Sequence, residues 1–495
     1  MNLFITKPIA PSPHVDAGEP VEGSLEGEAT LARVLTARHL VLLGIGAVIG
    51  AGIFVLTGQA AAMHAGPAIM LSFVMAGFAC ALAGLCYAEF AAMMPVSGSA
   101  YSYSYATLGE GVAWFIGWNL VLEYLFAAST VAVGWSGYMN SLLGSIGAWF
   151  GTSFALPDAL ASAPLTVANG RIVTTGAIIN LPAVLIVIAV AALCYRGIRQ
   201  SATANAVIVA IKLVVILLFL AFGLQFVDPA NWEPFIPPEV DGQFGFQGVA
   251  RAAAIVFFAY IGFDAVSTAA QETKNPQRNM PIGILGSLAV CTVLYIAVCA
   301  VLTGMVPYTE LGTAQPVATA LEFYPTLLWL KTLVELGAVA GLSSVILVMI
   351  MGQSRIFYAM SNDGLIPAAF GRVHPRYRTP AFGTVVVGTT AMILAGLLPI
   401  GVLGDLVAMG TLLAFATVCI GVLVLRYTRP ELERAFRVPA AIVVCPLGAL
   451  ACLYLFTQTF ADNWHWMSAW IVIGIVIYFF YGSKRSVLQR AHAAT

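Results

Sequence analysis

Twelve stretches of the sequence are apolar and long enough to cross a lipid bilayer as helices, which takes about 20 residues each. A soluble fold cannot bury this much apolar surface, because 60% of the residues are hydrophobic and only 9% are charged. The chain is therefore predicted to be an all-α integral membrane protein, not a soluble enzyme or a nucleic-acid-binding protein. The predicted spans lie at approximately 40–62, 67–93, 112–141, 177–195, 204–226, 249–270, 281–305, 333–361, 381–399, 404–426, 439–458 and 464–482.

The basic residues predict how these spans are oriented. With the N-terminus in the cytoplasm and alternating spans, 18 of the 22 lysines and arginines lie on the inner side. The outer side receives Arg171, Arg251 and Lys331, while Lys212 lies within the membrane. This bias predicts an even number of spans in the cytoplasmic (inner) membrane, with both termini in the cytoplasm.

Two of the spans contain residues that disfavour a continuous helix. Residues 44–52 of the first span include four glycines, each costing about 1 kcal/mol relative to alanine. The sixth span has Gly262 and Asp264 near mid-depth, where a charge is also costly. Close helix packing could explain regularly spaced glycines, but it explains the pair Gly50 and Gly52 less well.

Interrupted helices at matching positions of two halves indicate a transporter built from inverted repeats. Unwound backbone offers N–H groups to a carboxylate and carbonyl oxygens to a cation. Such a site suits the zwitterion of an amino acid.

Several motifs resemble those of the amino acid–polyamine–organocation superfamily, and their combination resembles its cationic amino acid transporter subfamily in the bacterial form. Gln271 stands where members often carry glutamate, which we interpret as a peripheral difference. The segments that carry the resemblance are 44–55, 89–101, 257–268, 271–281, 352–355 and 361–367.

The resemblance implies a five-plus-five inverted repeat of the leucine-transporter type, with helices 1 and 6 unwound at mid-membrane. A core at 36–426 would contain halves at about 40–226 and 249–426, followed by two further helices within 427–482. Residues 483–495 would form a cytoplasmic tail. Residues 1–35, which are rich in proline and acids, are predicted to form a disordered cytoplasmic tail.

The resemblance also implies which residues hold the substrate. Amides around Gly50, Ala51 and Gly52 would bind its carboxylate. Carbonyls near Val48 and Ile49, together with those of the sixth span, would bind its amino group. The whole implied substrate-binding set is Val48, Ile49, Gly50, Ala51, Gly52, Ile53, Phe258, Ala259, Tyr260, Ile261, Phe263 and Met349.

Four charged residues within or near the membrane need a role. Lys212 matches a fifth-span lysine of proton-coupled members, so we hypothesise that it carries the coupling proton, bonding first-span carbonyls when charged. A static pairing of helices is the alternative. Glu123 is a second candidate for proton transfer. Its alternatives are pairing with Lys212, a position near the substrate's side chain, and a static pairing of helices. Asp264 is expected to hold the unwound segment, and Glu89 to have a structural or gating role.

The sequence therefore predicts a proton-coupled, secondary active transporter of L-amino acids, working by alternating access. Bulky Met349 favours small neutral substrates such as alanine, or a broad range. Transport of lysine, arginine or ornithine, antiport, and a non-transporting amino acid sensor are the alternatives. Pocket-facing candidates for specificity are Ser129, Thr130, Tyr260, Phe263, Ser344, Val345 and Met349.

The expected partners are the amino acid, protons and membrane lipid, with no nucleic acid, metal or cofactor. No catalytic motif is present, so an enzyme is not expected. A channel is disfavoured because no span carries a continuous polar stripe. The sequence specifies no oligomeric state.

Overall fold

The structure is a computed structural model, which describes residues 3–7, 35–94, 99–152, 154–168, 171–197, 202–240 and 243–494. The described chain is almost entirely helical, as predicted; its one sheet is an antiparallel hairpin between two membrane helices. The α-helices are α1 Ala37–Val48, α2 Thr57–Ala60, α3 Ile69–Met93, α4 Ser99–Thr107, α5 Glu110–Val121, α6 Ala127–Trp149, α7 Asp158–Ala161, α8 Leu181–Arg196, α9 Ala202–Gly223, α10 Gly245–Val256, α11 Pro276–Met305, α12 Pro316–Glu322, α13 Leu328–Asn362, α14 Ala381–Leu397, α15 Ile400–Thr428, α16 Ala441–Ile477, α17 Ser483–Arg485 and α18 Val487–Ala494.

Shorter elements connect or extend these helices. The hairpin consists of β1 Leu165–Ala168 and β2 Arg171–Thr174. Turns of π-helix are Gly52–Leu56, Ala61–Ala65, Leu122–Phe126 and Tyr478–Gly482. Turns of 3-10 helix are Gly66–Ala68, Leu224–Phe226, Pro229–Trp232, Phe257–Tyr260, Asp264–Glu272, Tyr308–Leu311, Pro325–Leu327 and Ala368–Gly371.

Eight helical runs of the described chain are long and apolar enough to cross a membrane, fewer than the twelve predicted spans. Three apolar helices, α1, α8 and α14, are too short to count by length alone. Two runs instead each include residues of two predicted spans. Gly52–Met93 bends at Gly66, whose φ is +57°, and Ala441–Arg485 covers the last two predicted spans.

Helix α16 contains 37 residues, and a straight helix of that length would measure about 56 Å, well beyond the bilayer core of about 30 Å. Its contacts show that it turns back near Asn463. Before Asn463, α16 runs antiparallel to α15. After Asn463, α16 runs antiparallel to α5, which is itself antiparallel to α15. The contacts are Gly448 with Cys419, Asn463 with Asp405, Trp470 with Trp118, Gly474 with Trp114, and Gly410 with Leu122.

Residues 3–7 are packed against the protein, although they lie within residues 1–35, which the sequence predicts to be a disordered tail. The carbonyls of Leu3 and Ile5 accept hydrogen bonds from the backbone N–H groups of Gly111 and Glu110, at 2.9 and 3.0 Å. Lys7 forms an ion pair with Asp363 at 2.7 Å. Apolar residues at 3–5 make this docking possible. Residues 8–34 of the predicted tail lie outside the described part of the chain.

The run Gly245–Ser267 is the most completely buried of the eight apolar runs, whereas α9 and α16 are mostly exposed. The break predicted in the sixth span therefore lies at the centre of the helical assembly. The break predicted in the first span packs directly against the break in the sixth span.

Candidate functional site

The first predicted break lies between α1 and the helical turns that follow it. Helix α1 ends at Val48, and Ile49 has an extended conformation, with φ −72° and ψ +98°. Helical turns resume at Ala51 and continue as π-helix from Gly52. The first amides of a helix have no acceptor within their own helix. The N–H groups around residues 50–53 are therefore available to an anion.

The second predicted break follows α10. That helix ends at Val256 and tightens into a 3-10 turn, Phe257–Tyr260. Ile261 is extended, with ψ +135°, and Gly262 has φ +114°, a conformation that residues with side chains rarely adopt. Asp264 begins the next 3-10 turn. The α-helical backbone hydrogen bonds are thus interrupted in both segments.

The two broken segments contact each other through their glycines. A Cβ atom on Gly52 would lie 2.2 Å from the Cα of Ala259, and one on Gly262 would lie 2.9 Å from the carbonyl of Ala47. Neither distance is compatible with a side chain. The absence of side chains at Gly52 and Gly262 therefore lets the two unwound backbones form one shared cradle.

Several carbonyls of this cradle already have a side-chain partner. The Lys212 ammonium donates to the carbonyls of Gly46 and Ile49, at 2.8 and 2.9 Å. The Tyr295 hydroxyl lies 2.9 Å from both Val48 O and Ala259 O. A hydroxyl has one proton, so Tyr295 can donate to only one of these two carbonyls at a time.

Lys212 joins three helices at the cradle. It is fully buried in α9, and its ammonium reaches the end of α1. A Cβ on Gly341 of α13 would lie 2.7 Å from the lysine Cε, so α13 packs directly against the lysine stem. Lys212 forms no salt bridge within the described chain, and its two hydrogen bonds there go to backbone carbonyls of the first span. The alternative in which it pairs with Glu123 finds no support.

Asp264 and Glu123 form a buried acidic pair beside the second break. One oxygen of Asp264 accepts from the Tyr124 hydroxyl at 2.6 Å, and the other accepts from Gly262 N at 3.3 Å. Asp264 therefore ties its own unwound segment to the third span. Glu123 is fully buried and faces Asp264 and Thr411.

Glu89 belongs to a separate network. Its carboxylate binds Arg426 through two bonds of 3.0 and 2.6 Å and accepts from Val438 N at 2.7 Å. These contacts tie α3 to the end of α15 and to the segment that precedes α16. The contacts favour the structural role.

Most of the predicted specificity residues point away from the cradle. The Tyr260 hydroxyl donates to Phe73 O at 3.0 Å, and the Phe263 ring packs against Tyr87 and Phe415. The Ser129 hydroxyl lies within hydrogen-bonding distance of the carbonyls of Leu125 and Ala391. These side chains pack between helices, because helix rotation places them there.

Two further predicted residues have their hydroxyls occupied by their own helices. Thr130 donates to Phe126 O and Ser344 donates to Gly341 O, each at 2.8 Å. Their hydroxyls therefore act as local helix contacts.

Helix α13 contributes the side chain that lies nearest to Gly50. A Cβ on Gly50 would lie 3.3 Å from Val345, which is buried. Met349, one turn further along the same helix, is buried as well. Tyr295, in contrast, is absent from the predicted substrate-binding set. Its signal in the sequence is a lone tyrosine within the apolar seventh span.

The described residues contain no group of three or more His, Cys, Asp or Glu side chains arranged to hold a metal ion. What the site offers chemically is backbone amides, backbone carbonyls, one lysine and one acidic pair.

Comparison with known proteins gives a consistent result. Residues 35–480 match the family model described as amino acid permease. The chain is 48% identical over 461 residues to the methylthioribose transporter of Bacillus subtilis, covering 93% of this chain and 96% of the relative. It is 46% identical over 470 residues to the branched-chain amino acid permease BcaP of the same organism, covering 94% and 96%. It is 36% identical over 406 residues to the vacuolar cationic amino acid transporter 4 of Arabidopsis thaliana, covering 82% and 65%.

Proposed function

Because this chain belongs to the amino acid permease family, in agreement with the sequence motifs, we propose that it carries neutral L-amino acids across the cytoplasmic membrane, coupled to protons. The observation that carries the proposal is the shared cradle of two unwound segments, with Gly52 against Ala259 and Gly262 against Ala47. Backbone amides and carbonyls at one site complement a carboxylate and an ammonium group together. Membership of a permease family also means that the chain is a transporter and not an enzyme.

We propose twelve spans arranged as a five-plus-five inverted repeat, followed by two further helices. The two breaks lie five spans apart, as such a repeat requires. Combining α1 with the turns after it gives one span, and the reversal within α16 gives two. The halves would cover about 40–226 and 249–426, with the last pair in 427–482. Both termini would lie in the cytoplasm.

The substrate carboxylate would bind the amides of Gly50, Ala51, Gly52 and Ile53. The amino group would bind the second break, through the carbonyls of Phe258, Ala259 and Ile261. A carbonyl oxygen has two lone pairs, so Ala259 O can accept from the substrate as well as from Tyr295. The carbonyls of Val48 and Ile49 would contribute in the same way, since each can accept a second hydrogen bond besides that from Tyr295 or Lys212.

Relatives favour a neutral aliphatic substrate. The relative named as a branched-chain amino acid permease is 46% identical, whereas the cationic transporter of Arabidopsis is 36% identical. Val345 and Met349 supply apolar walls, which suit alanine, valine or leucine better than lysine or arginine. The 48% identity to a methylthioribose transporter makes that neutral thio-sugar a second candidate. Methylthioribose has no carboxylate to bind the amides at residues 50–53.

Competition separates these substrates. Purified protein in liposomes would take up labelled leucine against an excess of unlabelled alanine, valine, lysine or methylthioribose. We expect neutral aliphatic amino acids to compete, and lysine and methylthioribose to fail. Competition by methylthioribose alone would contradict the proposal. Counterflow of leucine between the two sides would distinguish transport from sensing.

Lys212 would carry the coupling proton. When charged, its ammonium bonds the carbonyls of Gly46 and Ile49 and fixes one position of the first span. When neutral, it would release them and permit the change of conformation. Glu123 and Asp264 lie together, and two neighbouring carboxylates repel each other when both are charged, so a second proton can be shared by this pair.

The test of coupling is uptake by Lys212→Met in liposomes, with and without an inward proton gradient. We expect the variant to lose the stimulation by the gradient, and to retain counterflow of substrate. The exposed Lys484→Met is the matched control and should behave as the wild type. Unchanged stimulation in Lys212→Met would remove the carrier role. Stimulation of uptake by an outward gradient of a second amino acid, with no effect of protons, would indicate antiport.

A further inference from the structure

An open groove of about 650 Å³ lies beside the first turns of α11, away from the cradle. One wall is a single face of that helix, and the other wall is a loop between α15 and α16. The groove is lined by Gln277, Arg278, Pro281, Ile282, Leu285, Gly286, Ala435 and Phe436.

The groove changes from polar to apolar along the helix axis. Gln277 and Arg278 lie at one end, and Leu285 lies two turns deeper, about 11 Å along the helix. Ile282 is 44% exposed, so the apolar part opens onto the surface of α11 that faces lipid. A molecule with a polar head followed by an apolar chain would match this change from polar to apolar walls along the groove.

The polar end is also positively charged. Arg278 forms no ion pair within the described chain, and it is exposed. Lys274, one turn before it, and Arg437, next to the wall residue Phe436, are exposed too. Of the nearby acids described, Glu431 lies beside Arg434, which also faces Glu89. Basic pockets between membrane helices at the cytoplasmic side suit anionic lipid headgroups.

We propose that this groove binds one anionic phospholipid, with its phosphate on Arg278 and an acyl chain along Ile282, Leu285 and Phe436. The charge of Arg278 favours an anionic headgroup over a zwitterionic one, and the apolar floor favours a lipid over free phosphate. Gly286 adjoins Val41 of α1, where an added Cβ would lie 3.1 Å from the valine. The bound lipid would therefore also lie next to the first broken helix.

Native mass spectrometry of the full-length protein, purified in detergent with phosphatidylglycerol or phosphatidylcholine, tests the site directly. One basic residue near an anionic surface contributes about 1 kcal/mol, so Arg278→Gln should retain about five-fold less phosphatidylglycerol. Ile282→Trp should displace the lipid by filling the groove. Phosphatidylcholine retention should not depend on Arg278.

Two matched variants serve as controls. Arg372→Gln removes an exposed arginine of the same predicted side, and Val293→Trp introduces the same side chain elsewhere on α11, at a residue that is 69% exposed. Both should retain phosphatidylglycerol as the wild type does. Equal loss in Arg278→Gln and Arg372→Gln would show diffuse attraction only and overturn the proposal, as would undiminished retention in Arg278→Gln and Ile282→Trp. Inorganic phosphate competing fully with the lipid, or a protein dimer closing the groove, would overturn it too. None of these outcomes depends on transport.

Discussion

Gly52 and Gly262 are the residues on which the cradle depends most strongly. Each occupies a position where the opposing backbone lies closer than any side chain permits, and Gly262 also has a positive φ of +114°. The remaining groups of the cradle are backbone atoms. Side-chain identity therefore matters there mainly through what it allows the backbone to do.

Gly52→Ala should abolish transport while leaving the protein folded. Its methyl group would meet Ala259 Cα at 2.2 Å and push the two broken segments apart. Overpacking of this kind typically costs about 1–3 kcal/mol, so we expect a lower melting temperature together with loss of leucine uptake. Gly401→Ala, where an added Cβ meets nothing within 4 Å, is the control. Wild-type uptake by Gly52→Ala would argue against the contact between the two segments.

Tyr295→Phe should lower the melting temperature of the substrate-free protein. It should also increase the rise in melting temperature that bound leucine produces. The hydroxyl is shared by Val48 O and Ala259 O, and leaving a buried carbonyl unpaired costs about 1–3 kcal/mol. A bound amino group would satisfy Ala259 O again. Thermal shift with and without leucine measures both effects, and Tyr454→Phe, an exposed tyrosine, is the control. An unchanged melting temperature would show that the hydroxyl contributes nothing there.

At this scale the sequence predicts some features of the site and misses others. The clustered glycines and Lys212 can be recognised from the amino-acid sequence alone, because each is unusual within an apolar span. The direction of Tyr260 and the bonds of Tyr295 depend on how helices rotate against one another. The sequence of a single span therefore predicts neither the direction of Tyr260 nor the bonds of Tyr295.

At the scale of elements, the helices differ from the predicted spans mainly at their ends. Composition identifies apolar runs but does not show where a run bends. The reversal within α16 near Asn463 falls between the predicted spans 439–458 and 464–482, although Asn463 is neither a proline nor a glycine. The docking of residues 3–7 was likewise not predicted, because the acids and prolines that follow dominate the composition of the tail.

Removing residues 3–7 should destabilise the end of α4 and the start of α5. This segment makes three backbone hydrogen bonds, to Gly111, Glu110 and Tyr105, at 2.9 to 3.0 Å. Each such bond contributes about 0.5–1.5 kcal/mol, so a clear decrease in melting temperature is expected. Lys7→Gln alone should have little effect, since an exposed ion pair contributes about 0–1 kcal/mol. An unaltered melting temperature of the truncated protein would show that the docking adds no stability.

For the whole molecule, the distribution of basic residues makes an independent prediction about orientation. All eight cysteines are buried, so a single introduced cysteine can be labelled selectively. With both termini inside, Thr152→Cys should react with a membrane-impermeant maleimide in intact cells. Lys484→Cys should react only after permeabilisation. The opposite pattern would reverse the proposed topology and the side on which the anionic lipid is expected.

We propose that substrate binding depends on two unwound segments that form one site for a zwitterion. The most direct measurement is an experimental structure of the protein with bound L-leucine. We predict the leucine carboxylate within hydrogen-bonding distance of the amides at residues 50–53, and its ammonium on the carbonyls at 258, 259 or 261. Leucine bound elsewhere, or a continuous helix through Gly50 or through Gly262 in that structure, would contradict the account.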